Sequence, residues 1–287
     1  MEVQLINLDT NVSLTFDTQN FILNEIIHDN CVVQHNTSKT IKQIGEYVKS
    51  TNVNSRTINI TGTAIGQSEL DLSNKKQILL NLTSPFSSIK IILDNKFTLT
   101  GKCQSLVKWG VGHDNNNRYF VKFSIDILAP NTLWYALEPT TISLSPYVNE
   151  FKFPISIPES GFIYGHKDTD TLTNIYNDSN VSVPLQFNIT SLSTVETPVI
   201  TRIQDGKKIQ INTTINPGDT LNICTEFGKK SVLLNGENII SKFDFENSSW
   251  LMLTPGLNTF TYSCNNAENR GNLNIEVTYT QCYWGVF

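Results

Sequence analysis

The sequence predicts a mainly β chain of two domains, the first carrying one α-helix and a β-hairpin, the second made of strand and turn. Three observations carry this. Short runs alternate apolar and polar residues with the period of two that a half-buried strand requires. Turn-forming pairs such as Asn235-Gly236, Pro217-Gly218 and Pro255-Gly256 punctuate those runs, and Asn-Gly best tolerates the positive φ angles of a tight hairpin. The 287 residues also exceed one sandwich and suit two domains of roughly 100–200 residues each.

Taken in order, Val3–Ile6, Val12–Phe16 and Phe21–Ile27 read as short strands separated by polar turns. Arg56–Gly62, RTINITG, alternates through Ile58 and Ile60 and reads as a core strand. A helix over about 69–82 follows. Ser68-Glu69-Leu70-Asp71 resembles a capping box, Leu72, Ile78, Leu79 and Leu82 mark its apolar face, and Pro85 closes it. Residues 88–101 read as a hairpin turning at Asp94-Asn95-Lys96. A second hairpin pairs Leu106–Trp109 with Tyr119–Leu128 around an exposed, mobile tip at 113–118. Ala129-Pro130-Asn131, Pro139 and Pro146 break the pattern, which puts the domains at 1–138 and 139–287. Beyond the break, strand and turn alternate: Phe151–Pro154, Gly161–Gly165, a polar segment at 168–180, and Pro184–Ile189. The modules around Ile209, Leu221 and Val232 follow, then a last strand through Leu273, Ile275, Val277 and Tyr279.

Composition removes several function classes. The net charge is -5 and the cations are scattered, which argues against phosphate neutralisation and so against a nucleic-acid partner. No stretch reaches the roughly 20 apolar residues of a membrane span, and the N-terminus lacks the features of a secretory signal, so synthesis in the cytosol is expected. Charged residues make up 16% of the chain, below the roughly 25% of typical globular proteins. Neutral Asn, Thr and Ser therefore carry the solvation of the surface. Five cysteines, Cys31, Cys103, Cys224, Cys264 and Cys282, include no CxxC pair and read as free thiols.

Candidate sites are few. His28, Cys31 and His35, with Asp29 beside them, have a spacing that could hold a metal. No second cluster pairs with them, so unrelated polar residues are the preferred reading and no metal or cofactor is expected. Trp250 with Phe243, Phe245 and Tyr262 could form a stacking platform for a sugar, but aromatics on strands more often fill a core. Glu150, Glu159, Asp168 and Asp170 are carboxylates that sequence cannot place at catalytic separation. With no nucleophile elbow, phosphate loop or HExxH motif, no catalytic residue is assigned and the chain is not expected to be an enzyme.

The order of segments nevertheless resembles a family. RTINITG at 56–62, the helix ahead of Ser84-Pro85, the 88–101 hairpin and FSIDILAPNTLWY at 123–135 carry the likeness in the first half. FKFPISIP at 151–158, ETPVITRI at 196–203, PGDTLNICTEFGKKSVLLNGEN at 217–238 and SSWLMLTPGLNTFTY at 248–262 carry it in the second. Together they are similar to the distal tail proteins of siphophage-type bacteriophages. The resemblance implies a ring-forming N-terminal β-sandwich that carries the helix and the hairpin, and a galectin-like C-terminal β-sandwich. It also implies a homohexamer at the virion tail tip, assembled in the bacterial host cytoplasm. Its implied partners are the tail tube protein, a tail-tip spike or tail-associated lysin, and receptor-binding proteins. Ile89, Ile91, Leu93, Phe97 and Leu99 of the hairpin are the expected subunit interface, and losing Asp94–Lys96 with its flanking arms is expected to abolish rings. Pro217, Gly218, Asn235, Gly236, Trp250, Pro255 and Gly256 are expected to be core and turn residues of the second domain. The alternative is a carbohydrate-binding module of a phage tail or bacterial surface-binding protein.

Overall fold

The computed structural model describes residues 1–28, 31–42, 44–145, 147–149, 165–167 and 172–286. It divides into two compact units, Met1–Leu137 with Tyr283–Phe287, and Glu138–Cys282. The FKFPISIP stretch, residues 161–164 and the start of the polar 168–180 segment lie outside the described residues.

The first unit is built on one large antiparallel sheet. Its strands are β1 (Val3–Asn7), β2 (Ser13–Thr15), β3 (Phe21–Ile27), β4 (Cys31–Ser38) and β5 (Tyr47–Ile65), then after the helix β6 (Ser88–Leu93), β7 (Phe97–Cys103), β8 (Lys108–Trp109), β9 (Phe120–Ala129) and β10 (Trp134–Ala136). The main path runs β2-β1-β6-β7-β9-β5-β3, with β4 on β5, β8 on β9 and β10 on β7. Alternate residues along β5 and β9, from Ile58 and Ile60 to Val121, Phe123, Ile125 and Ile127, enter the core, as period-two strands demand.

Helix α1 (Glu69–Leu82) starts at Ser68, whose hydroxyl accepts the Asp71 N–H at 3.2 Å. The reciprocal half of the expected box is shifted by one residue, because the Asp71 carboxylate accepts from the N–H of Gln67 at 2.9 Å. Leu72, Leu79 and Leu82 are buried, whereas Ile78 is exposed. At about 100° per residue, Ile78 lies roughly 120° round the helix from Leu72, beyond the stripe that faces the sheet. Asn7, fully buried on β1, donates to the carbonyls of Asn81 and Leu82 at 3.2 Å each and so satisfies two orphan acceptors at the helix end.

The second unit holds two principal antiparallel sheets. One runs Thr140–Ser143, Leu273–Tyr279, Gln186–Ser191, Thr220–Cys224, Ser231–Leu234 and Glu237–Asn238; the other runs Thr173–Asn177, Gly256–Ser263, Val199–Arg202 and Lys208–Gln210. Each buries one face, with Phe187, Ile189, Leu221, Ile223, Ile275 and Val277 from the first and Ile175, Ile200, Ile209, Phe260 and Tyr262 from the second. The chain is thus mainly β with a single α-helix among the described residues.

The expected second domain ran to the end of the sequence, and here the structure differs. The ring of Tyr283 meets that of Phe97 edge-on at 5.5 Å, and Val286 is buried in the core of the first unit. Apolar burial on the first sheet draws this segment back across the expected boundary.

Candidate functional site

The hairpin expected to form the subunit interface is an interior element. Its turn is as anticipated, with Asp94 and Asn95 at φ 48° and 52°. Strand β6 is flanked by β1 and β7, while β7 is flanked by β6 on one side and by β9 and β10 on the other. Ile89, Ile91, Leu93 and Leu99 are at most 2% exposed, and Phe97 packs partly buried against the same core. Four of the five are enclosed, and only Phe97 keeps part of its surface exposed.

The free edges lie elsewhere. Strand β4 and residues 47–55 of β5 form a two-stranded arm, and every residue of that half of β5 is exposed. The pairing of β9 with β5 starts only at Arg56, so the arm extends about 30 Å with no described third strand beside it. Val32, Val33, Ile41, Ile44, Tyr47 and Val48 are exposed along it, with Ile44 fully so. Register shifts at Cys31/Val33 and Asn36/Thr37 bend the ribbon. The arm escapes a search for one-faced alternation because neighbours such as Val32 and Val33 put apolar side chains on both faces. The available signal was length: Tyr47–Ile65 contains no proline and runs far beyond the usual strand of about six residues.

At the arm's root stands Arg56, 1% exposed and the first buried residue of β5. Its guanidinium donates to the carbonyl of His28 at 3.0 Å and to the carbonyl of Trp284. The thiol of Cys31 lies 3.2 Å from the Thr132 hydroxyl, and the His28 ring meets buried Trp134 edge-on at 6.0 Å. His35, higher on the arm, pairs through Nδ1 with the Thr51 hydroxyl at 2.9 Å. His28, Cys31 and His35 are therefore engaged separately. Among the described residues no group of three or more His, Cys, Asp or Glu is placed to hold a metal, and Asp29 lies outside them.

The aromatic platform is also rearranged. Phe243 stacks on Trp250 at 4.4 Å and 9°, and the Lys230 ammonium sits 5.4 Å from the Trp250 ring centre. Trp250 is half-buried at the surface of the second unit instead of filling its core. Phe245 is exposed, and Tyr262 is buried apart from the group beside the Arg270 guanidinium. A sugar ring would have to displace Lys230 or Phe243 to stack on the indole. The turn residues stand at real corners: Asn235 (φ 51°) and Gly236 (φ 86°) close one hairpin, and the Asn235 amide holds Asp219 at 2.7 Å beside Pro217-Gly218. Gly256, after Pro255, opens its strand at φ 85°.

Nothing among the described side chains forms a reactive centre. Burial, with the Asp126 charge second, pushes the Cys103 thiol up to about 12, and burial pushes Cys282 up to about 11, so both are inert. Glu150, Glu159, Asp168 and Asp170 lie outside the described residues. A groove of about 540 Å³ runs between the first turns of α1 and the 113–118 tip, where Glu69, Lys76 and Arg118 face one another. That tip, expected to be mobile, is bonded to its surroundings by Lys76 to Asn116 at 3.3 Å and Lys122 to Asn115 at 3.0 Å.

Two family models match. Residues 11–129 fit the phage tail protein RIFT-related domain, and residues 178–283 fit the C-terminal domain of the siphovirus-type tail component. The chain belongs to the distal tail protein family of siphovirus-type phages. Distal tail proteins are structural tail components, and this one shares its fold with the Dit protein of phage SPP1, whose crystal structure is described as a paradigm of the hub adsorption apparatus in phages infecting Gram-positive hosts. The match has a TM-score of 0.69 at 12% identity and covers 98% of each chain. Chains in the baseplate of phage P2 also align, in its activated conformation with calcium (TM-score 0.49, 13% identity, 98% and 97% covered) and with strontium (0.45, 12%, 96% and 97%). No curated protein sequence matches. Among the described residues of this distal tail protein, no helix is long and apolar enough to cross a membrane.

Proposed function

We propose that this distal tail protein is a hub that closes a homohexameric ring through its first unit and joins the tail tube to the host-adsorption apparatus. The observation that carries the reading is the β4–β5 arm. An exposed ribbon with unpaired backbone edges and valines on both faces is a template for another strand or sheet, and soluble monomers avoid leaving one open. A cyclic ring uses one face of each subunit against a different face of the next, so a projecting arm on one side suits closure. The second unit, read as a galectin-like sandwich, then serves as a docking module. The tail tube protein, a tail-tip spike or lysin, and receptor-binding proteins are the partners this role requires, with assembly in the cytoplasm of the bacterial host.

Light scattering on the purified chain tests the reading. A particle of six times the 32.3 kDa chain mass is expected, with rings visible by electron microscopy. A monomer that binds glycans would replace the hub with the carbohydrate-binding alternative, which the covered indole of Trp250 disfavours.

A further inference from the structure

The arm has one place where its direction is set. Over residues 47–55 it pairs with no described strand other than its partner β4, and a two-stranded ribbon is marginal alone, so its angle to the sheet is decided at the root. There the Arg56 guanidinium, buried inside the first unit, bridges two carbonyls from distant parts of the sequence. The His28 carbonyl closes β3 just before the arm, and the Trp284 carbonyl belongs to the returning segment. That segment is anchored on both sides of Trp284, by the ring of Tyr283 on Phe97 and by buried Val286.

We propose that Tyr283–Val286 is a clip on the root of the arm, and that Arg56 is the positioning residue through which the clip holds it. Charge-assisted bonds inside a protein are the strong ones, and a buried guanidinium that loses an acceptor must find another or reach water. Without the clip, Arg56 has to turn outward. It occupies the residue where β5 passes from exposed to buried, so that turn loosens the pairing of Cys31 with Arg56 and of Arg56 with Ala129. The root opens as a local unit while the interior strands stay closed. Resting on the ring reading, this makes residues 283–286 a control on assembly, because copies whose arms point variably cannot close a ring.

Amide hydrogen exchange of the full-length chain, read by mass spectrometry, tests the clip. In Arg56→Met, exchange at residues 31–34 and 52–58 is expected to rise at least about tenfold, with residues 88–103 staying within about twofold. Tyr283→Ala reaches the root from the other side without altering Arg56, is expected to give the same local pattern, and decides the matter if Arg56→Met fails to fold. Unchanged exchange at the root in Tyr283→Ala, or an equal rise over 88–103, would overturn the clip. Light scattering of the unmodified chain separates the two ideas: a monomer there removes the hub reading and leaves the exchange result standing.

Discussion

The two long hairpins of the first unit, β6–β7 and the β4–β5 arm, are both antiparallel ladders, and they meet opposite fates. In β6–β7 Ile89, Ile91 and Leu93 form a continuous apolar face with buried Ile92 on the other, and each strand has a neighbour on either side. In the arm, Val32 and Val33 fall on opposite faces, polar Ser, Thr and Asn separate the other apolar residues, and the outer edges are open. A sheet absorbs a hairpin that offers it one continuous apolar face. The arm offers no such continuous face, and it projects. A strand whose apolar face is continuous spends that face on burial within the chain, which leaves little of it for another subunit.

Truncating the interior hairpin should have the largest effect. Ile91→Ala removes three buried carbons from a fully enclosed site, and a loss of about 2–5 kcal/mol is expected in urea or thermal unfolding of the first unit. A loss under about 0.5 kcal/mol, the level of an ordinary surface change, would break the comparison by making the hairpin peripheral. Gly101→Ala follows. A Cβ there would stand 2.5 Å from the Leu128 carbonyl oxygen, where β7 crosses close to β9, and backbone gives way poorly. About 1–3 kcal/mol of destabilisation is expected from this overpacking, with no matching effect at the exposed arm.

The polar ties differ between the two regions as well, and pH separates them. In the buried half of β5, Asn59 donates to Asp126 at 2.6 Å, and Lys108 reaches the other oxygen of that carboxylate at 2.6 Å. Lys108 first and Asn59 second hold the Asp126 carboxyl below its ordinary value. A depressed folded pKa adds stability that is complete above the unfolded value and is lost as pH falls through the folded one. Asp126→Asn should therefore cost about 1 kcal/mol near neutrality. The gap to the unmodified chain should narrow as pH falls below the ordinary carboxylate range and vanish once Asp126 is protonated in the folded chain, in urea titrations at each pH. A gap independent of pH would assign the loss to packing. In the arm, the cross-strand bond from Asn36 to Ser50 at 2.9 Å joins neutral groups and does not follow that curve.

Much of the fold was legible because it rests on local rules. Ser68 and Pro85 bracket the helix, Asp94-Asn95 and Asn235-Gly236 turn where their backbone preferences require, and the period-two runs of β5, β9 and 273–279 became core strands. What local rules do not carry is which ladder ends up inside. Ile89 and Val33 are both β-branched strand residues, and only the neighbours supplied by β1, β9 and β10 distinguish them. The return of Tyr283–Val286 was hidden for the same reason, since Phe97 and Arg56, which hold it, lie over 180 residues earlier. Trp250, expected among the core and turn residues, is half-buried, stacked on Phe243 and close to a lysine, and an aromatic in that position has the same sequence context as one in a core.

The smallest expected effect on stability carries the largest on assembly. Val33 and Val48 are exposed on opposite strands of the arm, at 46% and 56%, and neither contributes to the core of the first unit. Replacing both by serine removes apolar surface that the isolated chain leaves in water, so unfolding should shift by less than about 0.5 kcal/mol. If the arm meets a second copy, that same surface is buried on association. The two serines then forfeit roughly 25 cal/mol for each Å² of apolar contact and leave hydroxyls facing an apolar partner. Light scattering should show the hexamer giving way to smaller species at equal concentration, with thermal unfolding of the dispersed chain unchanged. Rings that survive the double substitution would move the interface off the arm's faces and onto its backbone edges, where an added strand would pair.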